Sequence, residues 1–164
     1  MENIKKAYIA GGCFWGMEDL FRVQPGIIDT EVGYIGGEND SPTYRNHPGH
    51  AEGIELTYDA DITSFKNILD YFYRIHNPTT VDRQGNDIGS SYRSAIFFQD
   101  ENEKEIAKEV IDIVNASNRW DGTVATTLEP YSKFWPAEAE HQDYLVRNPD
   151  GYTCHFERFD SSFI

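Results

Sequence analysis

The order in which the hydrophobic period changes along this chain limits its possible folds more than any other feature. Lys5 to Ala10 reads as a strand running into Gly11-Gly12, and Phe14 to Val23 then takes a helix-like spacing that Pro25-Gly26 stops. Ile27 to Tyr34 and Ile54 to Tyr58 alternate apolar with polar residues, which predicts two strands around a loop rich in Gly, Asn and Pro. Thr63 is a candidate cap for a helix carrying Phe65, Ile68, Leu69, Phe72 and Ile75 on one face, and His76-Asn77-Pro78 ends it. Thr79 to Tyr92 has no period and reads as a second long loop. Ser94 to Gln99 predicts a strand, and Asp100 with Glu103 has capping-box spacing ahead of Ile106, Val110, Ile113 and Val114. Thr123 to Leu128 predicts one more strand, Pro136 suits the first turn of a last helix through Leu145, and the tail after Asn148-Pro149 is irregular.

Strand, helix, strand, strand, helix, strand is the order of the split β-α-β unit, and strands joined without a helix favour α+β over a purely parallel sheet. The expected fold is therefore an α+β, ferredoxin-like two-layer sandwich with an irregular C-terminal tail. With 164 residues, 39% of them hydrophobic, the chain can bury one core, so a single domain over residues 1–164 is predicted. Its 28 acidic and 14 basic residues leave a net charge of -14, which opposes binding to nucleic acid or anionic lipid. No run of about 18 apolar residues and no signal-peptide pattern occurs, so the expectation is a cytoplasmic protein with no membrane span.

The two cysteines, Cys13 and Cys154, are too few for a disulfide scaffold and lack zinc-site spacing. Cys13 falls at a strand-to-helix turn, where unpaired N–H groups and the helix dipole can lower a thiol's pKa; the alternative is a small buried hydrophobe. Phe14 and Trp15 can form an apolar floor beside the sulfur or belong to the core. Glu52 starts a strand, where burial would raise its pKa and suit it to proton donation, unless it is a solvated surface residue. Asp87 and Tyr92 in the second loop can orient a polar substrate or water, although Asp is also an ordinary turn residue. His50, His76 and His141 leave a cysteine hydrolase open, and an acidic interaction module without catalysis is a further alternative.

Gly12-Cys13-Phe14-Trp15-Gly16, Gly33-Tyr34-Ile35-Gly36-Gly37, Pro42-Thr43-Tyr44 and Gly49-His50-Ala51-Glu52 follow one another in order. Arg83-Gln84-Gly85-Asn86-Asp87, Tyr92-Arg93-Ser94-Ala95-Ile96, Pro136-Ala137-Glu138 and His141-Gln142-Asp143-Tyr144-Leu145 continue the series. From Ala7 to Tyr152 the chain thus resembles the A-type peptide methionine sulfoxide reductases. The resemblance implies Cys13 as nucleophile, Glu52 as proton donor, and Phe14 and Trp15 as the pocket for the S-methyl group. It implies Tyr44, Asp87 and Tyr92 as the groups that polarise or position the sulfoxide, with Tyr144 on the pocket wall. Cys154, in Gly151-Tyr152-Thr153-Cys154-His155, lies close to a recurrent resolving site, and the glycine-rich tail with another cysteine found in some members does not occur. The implied substrate is methionine S-sulfoxide, free or in proteins. Cys13 would become a sulfenic acid and pair with Cys154, and an external dithiol such as thioredoxin would reduce the disulfide without metal or organic cofactor.

Overall fold

The computed structural model describes residues 3–164. Six strands form one sheet: β1 (Ile4–Gly11), β2 (Ile27–Ile35), β3 (Ala51–Asp59), β6 (Ser94–Phe98), β7 (Thr127–Pro130) and β8 (Phe134–Pro136). A separate two-stranded hairpin contains β4 (Arg83–Gln84) and β5 (Asp87–Ile88). The helices are α1 (Phe14–Phe21), α2 (Phe65–Ile75), α3 (Glu101–Ser117) and the single turn α4 (Tyr144–Arg147).

The large sheet runs β7-β6-β1-β3-β2-β8. Its inner four strands are antiparallel neighbours throughout, so the crossovers β1-α1-β2 and β3-α2-β6 interleave, each enclosing a strand of the other. Side chains alternate across β1. Ala7 and Ile9 join Ile54, Leu56 and Ile96 under the helices, where Met17, Phe21, Leu69, Phe72 and Val110 cover them. Tyr8 and Ala10 point the other way and pack with Ile35, Phe97, Phe134 and Tyr131, whose ring stacks on Tyr8 at 4.2 Å. Burial on both faces explains why the second half of β1 is apolar without alternation.

Local chemistry sets the helix ends. Asp100 accepts the Glu103 N–H at 2.8 Å, and the Glu103 carboxylate returns to the Gln99 N–H at 2.9 Å, in line with the expected capping pair. The cap of α2 is Ser64, whose hydroxyl accepts the Asn67 N–H at 3.0 Å, and not Thr63, which closes the preceding turn through its N–H to Asp59 O.

Three other expectations need correction. The strand predicted over Thr123 to Leu128 begins only at Thr127, because Val124 N–H is taken by Asn115 Oδ1 and Ala125 N–H by Pro78 O. Pro136 does not open a helix but ends the edge strand β8, where a missing N–H costs no ladder bond. Helical structure returns only as a 3-10 turn at Ala139–His141 and as α4. The loop expected from Thr79 to Tyr92 contains the β4–β5 hairpin and a 3-10 turn at Ser90–Tyr92.

The tail is irregular as expected, yet it is tied down. Phe163 N–H donates to Asp70 Oδ1 at 2.6 Å, Arg74 Nε to Phe159 O at 2.8 Å, and His155 is buried.

Candidate active site

Cys13 occupies the cap position of α1, directly after the Gly11-Gly12 turn that ends β1. Gly12 has φ +100°, and a Cβ there would meet the Gln84 side chain at 2.6 Å, so the turn requires glycine twice over. The sulfur is almost completely enclosed, with 6% of the residue exposed. Burial pushes the thiol pKa upward, the Glu52 charge pushes it further, and a hydrogen bond from the Trp15 N–H opposes both. Loss of water thus outweighs the lowering that a helix start can give, and the enclosure fits the buried alternative.

Glu52 is the second residue of β3, opposite Tyr34 of β2, and is 1% exposed. Its Oε1 accepts the Phe14 N–H at 3.2 Å, filling the helix start that the Cys13 side chain leaves uncapped. Burial, with help from Asp87, outweighs that bond and pushes the Glu52 carboxyl up to about 8. At neutral pH Glu52 therefore holds its proton, and its push on Cys13 largely disappears.

Tyr44 arrives from the segment between β2 and β3, Asp87 from β5 of the hairpin and Tyr92 from the 3-10 turn just after it. The Tyr44 and Tyr92 phenols are pushed up by burial and then by Glu52, and both also face Cys13 and Asp87. The five groups thus share one small volume. Tyr44 is placed by Glu138, which accepts the Tyr44 N–H at 3.0 Å and the Tyr34 hydroxyl at 2.8 Å. Trp15 stacks on Tyr144 with centroids 3.9 Å apart and an interplanar angle of 10°, and its indole N–H donates to His141 Nδ1 at 3.1 Å. Phe14 has no exposed surface and packs with Val32, Tyr34 and Ala137 beneath Trp15. A cavity of about 460 Å³ opens over Trp15, Tyr44, His141 and Tyr144. A larger hollow of about 540 Å³ lies by Lys5, Lys66 and the starts of α2 and α3, and contains none of these groups.

Glu138 and His141 are positioning residues that sequence reasoning did not assign. The only signal was their place in the motifs, because their partners lie roughly a hundred residues away or more. Among the described residues no histidine hydrogen-bonds to Cys13. His141 serves Trp15, His50 bridges Gly37 and Asn39, and His76 is sealed between Phe72 O and Ser94 with its pKa pushed down to about 3 by burial.

Cys154 is half-buried, and both cysteines are free. It packs on the hairpin turn, where a Cβ on Gly85 would stand 3.7 Å from its sulfur. The flanking Thr153 and His155 rest on Gly16 of α1. The tail that carries Cys154 is therefore docked beside the Cys13 helix. No group of three or more His, Cys, Asp or Glu arranged to hold a metal occurs among the described residues, and no helix of theirs is long and apolar enough to cross a membrane.

A buried thiol, a carboxyl that keeps its proton and a second thiol on a docked tail form the layout of a thiol-dependent oxidoreductase. The sequence profile described as peptide methionine sulfoxide reductase matches residues 5–162. A peptide methionine sulfoxide reductase MsrA of Nocardia farcinica is 58% identical over 160 residues, covering 98% of this chain and 94% of the relative. The crystal structure of Mxr1 from Saccharomyces cerevisiae in reduced form superposes with a TM-score of 0.88 at 34% identity, covering 95% of this chain and 93% of the other. Mxr1 in complex with Trx2 matches with a TM-score of 0.65 at 28% identity, covering 95% and 91%. The chain belongs to the peptide methionine sulfoxide reductase family.

Proposed function

We propose that this protein reduces methionine S-sulfoxide, free or in polypeptides, to methionine, with residues 1–164 acting as one catalytic domain. The observation that carries the reading is the Glu52 carboxyl, pushed up to about 8 and hydrogen-bonded to the first N–H of the helix that presents Cys13. A sulfoxide with its methyl group against Trp15, which the buried Phe14 backs from beneath, would place its oxygen toward Glu52, Tyr44 and Tyr92. Glu52 donates its proton to that oxygen, which makes the substrate sulfur electrophilic and brings positive charge next to Cys13. That charge offsets the burial that holds the Cys13 proton. The sulfur of Cys13 attacks, the thiol proton restores Glu52, oxygen passes to Cys13 as a sulfenic acid, and methionine leaves.

Cys154 then attacks the sulfenic acid, forming a disulfide and releasing water. A thioredoxin-like dithiol reduces that disulfide by exchange, a reading supported by the Mxr1 complex with Trx2. The cycle uses no metal or organic cofactor, and its free thiols suit the reducing cytoplasm. Sulfoxide reduction with dithiothreitol and then with thioredoxin, comparing the parent with Cys13→Ser and Cys154→Ser, tests the scheme. Cys13→Ser should lose all activity, because a hydroxyl is a far weaker nucleophile at neutral pH. Cys154→Ser should keep dithiothreitol turnover and lose thioredoxin-driven cycling. Near-parental turnover by Cys13→Ser rules the mechanism out.

A further inference from the structure

Just beyond Cys154, Arg158 places a cation on the tail of a chain whose net charge is -14. Its guanidinium is partly buried, and its hydrogen bonds go to main-chain carbonyls: Nη1 to Ile75 O at 2.7 Å and Phe156 O at 3.3 Å, and Nη2 to Cys154 O at 3.2 Å. Among the described residues no carboxylate lies within ion-pair distance of it, as is also true of Arg45, Arg83, Arg119 and Arg147, whereas Arg22, Arg74 and Arg93 are ion-paired. The adjacent Glu157 is held by Arg74. The Arg158 N–H bonds Arg74 O at 2.8 Å, which fastens this stretch of tail to the end of α2. The Phe156 ring, 4.1 Å from the guanidinium carbon, covers one side of the cation. A partly desolvated charge bound only to carbonyl dipoles keeps most of its field.

Building on the reading of Cys154 as the recycling thiol, we propose that Arg158 is a positioning residue for the recycling step, holding the tail by the Cys154 carbonyl and stabilising the Cys154 thiolate as it attacks Cys13. Other groups face that sulfur. Asp87 lies across from it and accepts the Tyr152 hydroxyl at 3.2 Å. His155 Nδ1 is 3.9 Å from the sulfur, and Cys13 lies nearby. Burial and Asp87 push the Cys154 thiol up, while Tyr152 and Arg158 push it down. His155 donates through Nε2 to Gly11 O and is held neutral by burial, its pKa lowered to about 4, so it brings no charge. Arg158 is thus the cation that opposes Asp87 at this thiol.

The step balances without an added oxidant. Cys154 sulfur bonds to Cys13 sulfur, the S–O bond of the sulfenic acid breaks, and the departing hydroxide ends as water with the proton that Cys154 gave up.

The test is the pH midpoint of iodoacetamide alkylation of Cys154 in a Cys13→Ser background. Arg158→Gln keeps donors but removes the charge, and should raise the midpoint by about one pH unit. Arg158→Lys keeps the charge and should stay near the parent. In protein retaining Cys13, Arg158→Gln should slow disulfide formation at pH 7 by about threefold, because a tenfold loss of thiolate is partly offset by the greater nucleophilicity of a more basic sulfur. An unchanged midpoint in Arg158→Gln overturns the inference. A lowered midpoint does so too, since release of the tail into water would drop the thiol toward its ordinary value and make Arg158 only a clasp. Mass spectrometry of the parent after one turnover separates the two readings. A Cys13–Cys154 disulfide with an unmoved midpoint rejects Arg158 alone, whereas no disulfide rejects Cys154 as the recycling thiol.

Discussion

Glu52 and Cys13 both hold their protons because enclosure costs an ion more than the nearby N–H groups return. Glu52→Gln keeps the shape and removes the transferable proton, so single-turnover sulfoxide reduction at pH 7 should fall by on the order of 10²-fold. The parent's reductase step should decline as pH rises through about 8, where Glu52 loses its proton, and the variant should lack that limb. Stability should follow the same group. Between its ordinary value near 4.3 and about 8 the folded state binds a proton that the unfolded chain does not, so Glu52 makes the fold less stable as pH rises across that window. Urea midpoints at pH 5 and pH 8.5 should therefore differ more in the parent than in Glu52→Gln, and equal differences would contradict a buried, protonated Glu52. Cys13 and Glu52 were legible in the sequence because each sits beside its own local signal, a Gly-Gly turn and a strand start. The direction of the Cys13 shift was not, because it depends on enclosure by β3 and the loops.

The docking of the tail on α1 is an element-scale contact that a single residue controls. A Cβ on Gly16 would stand 2.3 Å from Thr153 Oγ1 and 2.5 Å from His155 Nδ1. Gly16→Ala improves helix propensity by about 1 kcal/mol in an ordinary helix interior, yet here it must push the tail away. Quenched-flow mass spectrometry should find Cys13–Cys154 disulfide formation slowed about tenfold or more, with a smaller effect on the first equivalent of methionine. Equal slowing of both would mean that Gly16 serves the pocket and not the tail. Helices α2 and α3 were readable from periodicity because one face of each packs on the sheet. The limits of β7, and β8 and the β4–β5 hairpin altogether, were not, since each is short and its limits depend on which distant groups claim its N–H donors.

On the scale of the whole molecule the charge of -14 surrounds a site whose rim includes Glu138 and Glu140, with Arg45 as a local exception. Peptides with Lys beside methionine sulfoxide should show kcat/KM about tenfold above peptides with Glu there at low ionic strength, through steering. The gap should shrink at 0.5 M salt, where the Debye length is only about 4 Å. A gap insensitive to salt would point to direct contacts instead. The sequence by itself determined the order of the main strands and helices from β1 to α3, the α+β class and the positions of the two thiols, because hydrophobic period and turn chemistry act over a few residues. Tertiary structure alone decided that Glu138 holds Tyr44, that His141 holds Trp15, that the tail is docked against Gly16 and that Glu52 keeps its proton. These depend on contacts between groups far apart in the chain and on exclusion of water, and neither leaves a mark on local sequence.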